Sequence, residues 1–282
     1  MRVAATRRFP GPAWDELDDV VVGERPAAVA LIVMNEPVPF DAYPELRLVA
    51  NFSVGYDNVD LEECRRRGIA VTNTPGVVDA ATADLAFALL LAARRRLVEG
   101  DRLLRAGTWG LPSLGRDVAG ATLAVIGMGR IGSAVARRAA AFDMRVIGVR
   151  SREGDLDEAL READAVSLHV PLSEATRGLI TRERLASLRD GATLVNTARG
   201  AVVDEDALVD ELASGRINAG LDVFVHEPHV PERLRELPNV VLTPHIASAT
   251  EETRAAMTRM VVDNILAFER GEPLPNPVLE AS

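Results

Sequence analysis

Lysine is absent from this chain: all 32 basic residues among its 282 are arginine. Schiff-base catalysis, pyridoxal phosphate anchoring and the P-loop lysine all require an amine, so those classes fall away. Cysteine is nearly absent too. The lone Cys64 rules out an internal disulfide and reads as a small hydrophobe on a helix over 61–67. With no leader-like N-terminus, the expected compartment is the cytoplasm. Long apolar runs are lacking: the longest, around 85–93, falls short of the ~20 residues a bilayer requires, so no membrane span is expected. Positive charge is outweighed, with 42 acidic residues giving a net charge of −10 and no local basic patch. Nucleic acid is therefore not an expected partner.

What the sequence does contain is enough chain for about two domains, with β-branched apolar runs recurring between helical patterns. That alternation predicts α/β architecture with parallel sheets covered by helices on both faces. Strands are expected over 20–22, 28–33, 46–51 and 70–72. After a long helix over 80–96, N-capped by Asp79, six more are expected over 123–126, 145–149, 165–169, 193–196, 219–223 and 240–242. Between these two sets, 107–120 shows no periodicity yet carries Trp109, Leu111 and Leu114. Apolar groups on such an arm usually cover something, and a partner subunit is the natural candidate. The last helical pattern, 250–270, stops at Gly271 with Pro273 beyond.

Directly after the strand over 123–126 comes Gly127-Met128-Gly129-Arg130-Ile131-Gly132, which opens a helix through Phe142. In that strand–loop–helix context the glycines form a dinucleotide fingerprint. The first permits the tight turn, the second lets backbone approach a pyrophosphate, and the third lets helix and strand pack closely. At the end of the next strand, where NAD binding favours an acidic residue for the ribose, stand Arg150, Ser151 and Arg152. Two guanidinium groups and a hydroxyl suit a 2′-phosphate, so NADP(H) is expected in preference to NAD(H).

Ligands of open parallel sheets bind beyond the carboxyl ends of strands, and three polar residues stand there: Arg199, Glu227 and His245. They make a coherent reducing site. Hydride addition to a ketone creates an alkoxide that needs a proton, which His245 would donate, with Glu227 beside it keeping the imidazolium populated. Arg199 would grip a substrate carboxylate and polarise its carbonyl. His169 also ends a strand but has no acid near it in sequence, and His226 and His229 flank a turn. No HxxxH or HxH spacing exists, so no metal is expected.

Taken with Ser53-Val54-Gly55-Tyr56-Asp57-Asn58, Asn73-Thr74-Pro75-Gly76, His169-Val170-Pro171-Leu172, Gly220-Leu221-Asp222-Val223-Phe224 and Thr243-Pro244-His245, these motifs resemble the D-isomer-specific 2-hydroxyacid dehydrogenases, nearest to glyoxylate/hydroxypyruvate reductases. The resemblance spans about 48–276. It implies that Arg199, Glu227 and His245 are the catalytic trio, and that the Val54 and Gly55 amides hold the substrate carboxylate. Asp222 would orient the nicotinamide carboxamide, with Arg130, Ile131, Thr197 and Ala198 as further cofactor contacts. It also implies a Rossmann nucleotide domain over 86–254, and a smaller flavodoxin-like substrate domain made of 1–85 with 255–282. The helix over 80–96 would be the hinge, and a homodimer would form through the nucleotide domain and the Trp109 arm. The activity implied is NADP-dependent reduction of a small 2-keto acid. The alternatives are a dinucleotide-sensing corepressor-like protein and a phosphite dehydrogenase.

Overall fold

The structure is a computed structural model that describes residues 1–110, 114–150 and 156–280. Leu111, Ser151 and Arg152, invoked above, lie outside the described residues. In chain order, strands β1 (Val3–Ala5), β2 (Val20–Val22), β3 (Ala30–Val33) and β4 (Leu48–Asn51) precede helix α1 (Leu61–Arg67) and strand β5 (Ala70–Thr72). Then come α2 (Asp79–Arg94), α3 (Leu97–Arg105), β6 (Thr122–Ile126), α4 (Arg130–Ala141), β7 (Arg145–Val149), α5 (Leu156–Glu162), β8 (Ala165–Leu168), α6 (Arg182–Ala186), β9 (Thr193–Asn196), α7 (Glu205–Ala213) and β10 (Asn218–Leu221). The chain ends with α8 (Glu232–Arg235), β11 (Val240–Leu242), α9 (Glu251–Arg270) and β12 (Pro277–Leu279). Two units result, Met1–Val78 with Ser248–Ser282, and Asp79–Ala247. Sequence reading expected the junctions at 85/86 and 254/255; the whole of α2 falls in the second unit, where it packs on α4, β9 and β10.

In the first unit the sheet order is β12-β5-β4-β3-β1-β2, parallel except for β12. Helix α1 shows how local chemistry sets an element. Asp60 caps it by accepting from the Glu62 and Glu63 N–H groups at 3.0 and 2.9 Å, and Gly68 ends it at φ +67°. Cys64 on its inner face is fully buried, which pushes the thiol to about 11 and keeps it unreactive. Strands β1 and β12 were not apparent from sequence. β12 starts at Pro277, tolerated because it lies at the sheet edge.

The second unit's sheet runs β7-β6-β8-β9-β10-β11, all parallel. Strands β6, β8 and β9 are buried at every position, as continuous apolar runs between two helical layers should be. On one face α2 packs so closely that a Cβ on Gly220 would lie 2.8 Å from that of Leu89. The helix expected over 80–96 is α2, which ends at Arg94, and a second helix that sequence reading did not anticipate, α3, follows it. Arg94 is buried and donates to the carbonyls of Asp117 and Asp164, its own carbonyl accepts from the Arg116 N–H at 2.8 Å, and the chain turns at Arg96 with φ +56° before α3. No glycine or proline lies between the two helices. Asp79, expected as the cap, lies within the first turn of α2. Trp109 and Leu114 are 93% and 85% exposed on the single chain.

Candidate active site

The two strands that flank the reversal of strand order in the second unit, β6 and β8, carry the glycine loop and His169 just past their ends. Gly127 has φ +98°, and a Cβ there would come within 2.5 Å of the His169 carbonyl. One on Gly132 would sit 2.0 Å from the Gly127 oxygen. Both positions therefore exclude any side chain. At Gly129, which caps α4, a Cβ would meet nothing within 4 Å. Open space before the first turn of a twelve-residue helix is what a pyrophosphate requires. Beyond β9, the Thr197 hydroxyl oxygen is buried without a partner. An orphaned buried hydroxyl and an open glycine cradle both fit a dinucleotide. Arg130 reaches from the first turn of α4 to Asp79 at 2.7 Å, Ile131 is half-buried, and Arg150 is exposed beyond β7.

His245, Glu227 and Arg199 come from three different strand ends and converge. His245 Nδ1 lies 2.7 Å from Glu227 Oε2, and the other carboxylate oxygen accepts from the Phe224 N–H at 3.0 Å. Burial pushes the Glu227 carboxyl up. The His245 and Phe224 hydrogen bonds, with the charges of His245 and Arg199, outweigh it and hold the group below its ordinary value of 4.5. Arg199 thus acts on the same carboxylate from its half-buried place after β9, where its Nη1 donates to the Ala198 carbonyl at 2.8 Å.

Sequence reading missed how these three are held. Buried Asn196 shapes the 197–199 turn, donating to the Arg199 carbonyl at 2.9 Å and accepting from the Ala198 N–H at 3.0 Å. Gly200 lies so close to the neighbouring loop that a Cβ would be 2.1 Å from the Phe224 carbonyl carbon, so the Arg199 and Glu227 loops are in backbone contact. Asp222 is fully buried. Its Oδ1 accepts from the Thr243 hydroxyl at 2.6 Å and the Ile246 N–H at 2.8 Å, and its Oδ2 from the Ala247 N–H at 2.9 Å. Its own carbonyl accepts from the His245 N–H at 2.9 Å, and His245 is held at φ +54°. Burial nevertheless leaves the Asp222 carboxyl raised above its ordinary value. A carboxylate has about four acceptor sites, so three bonds leave room for one further donor such as a carboxamide.

The other histidines are placed differently. Burial pushes His169 down to about 4, so it is neutral, with Nε2 2.8 Å from the Ser167 hydroxyl. His226 and His229 pair across an exposed turn. Val54 and Gly55 belong to the first unit, in the loop after β4. Asn73 donates to the Val54 carbonyl at 2.9 Å and Asn51 to that of Gly55 at 2.7 Å. A trans peptide points its N–H opposite to its C=O, so the Gly55 and Tyr56 amides face away from those asparagines.

Comparison with known proteins identifies the family. Residues 87–247 match the family model described as D-isomer specific 2-hydroxyacid dehydrogenase, NAD binding domain. The chain is 51% identical to a glyoxylate reductase of Korarchaeum cryptofilum over 316 aligned positions, covering 98% of this chain and 95% of that one. Among solved structures, the TT0316 protein of Thermus thermophilus is 46% identical with a TM-score of 0.91, over 99% of this chain and 100% of that one. The NADPH-dependent glyoxylate/hydroxypyruvate reductase of Sinorhizobium meliloti, solved with NADP and malonate, is 37% identical with a TM-score of 0.86, over 98% of this chain and 96% of that one. Among the described residues, no helix is long and apolar enough to cross a membrane. This chain belongs to the D-isomer specific 2-hydroxyacid dehydrogenase family and is an oxidoreductase.

Proposed function

We propose that the enzyme reduces small 2-keto acids, glyoxylate and hydroxypyruvate foremost, to 2-hydroxy acids with NADPH, giving the D configuration wherever C2 becomes a stereocentre. The observation that carries this reading is the 2.7 Å contact of His245 Nδ1 with Glu227 Oε2 in the field of Arg199. When bound, the dinucleotide supplies hydride. Arg199 takes the substrate carboxylate and polarises its carbonyl, joined by the backbone amides around Val54 and Gly55. Ionised Glu227 holds a proton on His245 Nδ1, which leaves Nε2 as the nitrogen that gives its proton to the forming alkoxide. The glycine loop, Arg130, Ile131, Thr197, Ala198 and Asp222 hold the cofactor. A fall in NADPH absorbance with glyoxylate or hydroxypyruvate tests the activity, and no turnover of either sinks it.

NADP(H) preference rests on Arg150, which stands exposed where an acidic residue would receive the ribose of NAD, with Ser151 and Arg152 next in sequence. The Sinorhizobium relative, described as NADPH-dependent, supports it. Two charge-assisted bonds to a 2′-phosphate make kcat/KM with NADPH exceed that with NADH by about 10- to 100-fold. Equal or better use of NADH overturns the preference.

The same reading makes the enzyme a homodimer through its nucleotide domain, with Trp109 and Leu114 covered by the partner, since a Trp so exposed is costly in a monomer. Sedimentation should show a dimer that Trp109→Ser shifts toward monomer. A monomeric parent protein refutes this. A buried lone cysteine fits a reducing, cytoplasmic setting.

A further inference from the structure

In the first unit the chain leaves β1 for β2 on one side, then returns to β3 on β1's other side. Strand order therefore reverses between β1 and β3, and such switch points are where open parallel sheets bind ligands, beyond the carboxyl ends of their strands. Three side chains stand beyond those ends: Arg7 after β1, Met34 after β3 and Phe52 after β4. A fourth, Arg254, enters from the first turn of α9. Its guanidinium lies over the Phe52 ring, 5.6 Å from the centroid, and Nη1 is 3.3 Å from the Met34 sulfur. Among the described residues no carboxylate pairs with it. Burial lowers its pKa, and the charge of Arg7 adds to the effect. Arg7 is itself answered by Glu36, so Arg254 is the cation here with donors left over.

The position of Arg254 is fixed. Thr250 caps α9 by accepting from the Thr253 N–H at 3.2 Å, and Gly11 presses so near that a Cβ there would meet the Ala255 Cα at 2.9 Å. A half-buried guanidinium stacked on an aromatic ring and lacking an anion is costly to keep without a ligand. Phe52 also opens the loop whose Val54 and Gly55 amides take the substrate carboxylate in the function proposed above, and this inference rests on that reading. We infer that Arg254 determines specificity by binding an oxygen-bearing group on C3 of the 2-keto acid, a hydroxyl or a carboxylate, in preference to a bare methyl.

Steady-state kinetics with pyruvate, hydroxypyruvate and oxaloacetate test this. A C3 hydroxyl also activates the carbonyl electronically, so the decisive quantity is the change in preference on substitution. In Arg254→Leu the ratio of kcat/KM for the better oxygenated substrate to that for pyruvate should fall about 10- to 100-fold, the loss expected for one charge-assisted hydrogen bond, and mainly through KM. Arg254→Lys keeps the charge but loses the planar fork and the ring stacking, so it should fall between Arg254→Leu and the parent. A ratio within about twofold of the parent's in whichever variant folds overturns the inference while leaving the proposed function standing. A parent enzyme that reduces no 2-keto acid overturns both.

Discussion

Replacing His245 by asparagine should lower kcat with a 2-keto acid about 10²- to 10⁴-fold, the span of a lost general acid. Dinucleotide affinity, read by fluorescence titration, should stay within about threefold, because the imidazole is bonded to Glu227 rather than to the glycine loop. Arg199→Ala differs in kind, raising KM as well as lowering kcat, since it removes a ground-state grip on the substrate. The pH dependence follows from Glu227. Its carboxyl is held below 4.5 in the folded protein, so its contact with His245 is fully formed above the ordinary carboxylate range and is lost as pH falls through the lowered value. Stability from this pair has the same sign: present near neutrality, lost in acid. Glu227→Gln should remove that acid limb and flatten the profile of kcat/KM below pH 5. His245→Asn turnover within about tenfold of the parent's would show that another group supplies the proton.

Residues that do chemistry were more legible in the sequence than residues that hold them. Arg199, Glu227 and His245 each stand just past an apolar strand, and the parallel-sheet rule points to such places without coordinates. The glycine loop was legible for the same reason: strand, loop and helix are contiguous, and the steric demands at Gly127 and Gly132 are local. Asn196 was not singled out because it acts within its own turn, through backbone bonds that leave no pattern in the sequence, and Gly200 because it matters through an approach to Phe224, well separated from it in sequence. Strand ends mattered more than strand centres. β8 ends at Leu168 rather than His169, and β10 at Leu221 rather than Val223, which puts both His169 and Asp222 in the loops. Helix α3 escaped notice, although the helix before it was expected to end at Arg96; a buried arginine bonding to distant carbonyls, not a helix breaker, separates the two. Arg254 was hidden among thirty-two arginines; only its neighbours set it apart.

The second large effect belongs to Asp222, whose carboxylate organises the His245 turn. In Asp222→Ala the Ile246 and Ala247 N–H groups and the Thr243 hydroxyl lose their acceptor inside a fully buried site. Each orphaned buried donor costs about 1–3 kcal/mol, while removing a carboxylate that burial already disfavours returns part of that, so a net loss of about 3 kcal/mol is expected. For a unit of this size that is a fall in Tm of about 6–12 °C. The catalytic loss should be larger than this stability loss implies, because the His245 backbone sits at φ +54°, a conformation that a non-glycine residue keeps only when its surroundings impose it. Once released, the imidazole shifts, and a displacement of about 1 Å costs on the order of 10²-fold in rate. Asp222→Asn separates the two contributions. It keeps the volume and one acceptor, but its amide nitrogen must face one of the backbone N–H groups. It should therefore recover part of the Tm loss yet little of the turnover. If calorimetry and kinetics instead show Asp222→Ala with parental Tm and a defect confined to dinucleotide affinity, Asp222 serves the cofactor alone and the His245 turn is held by something else.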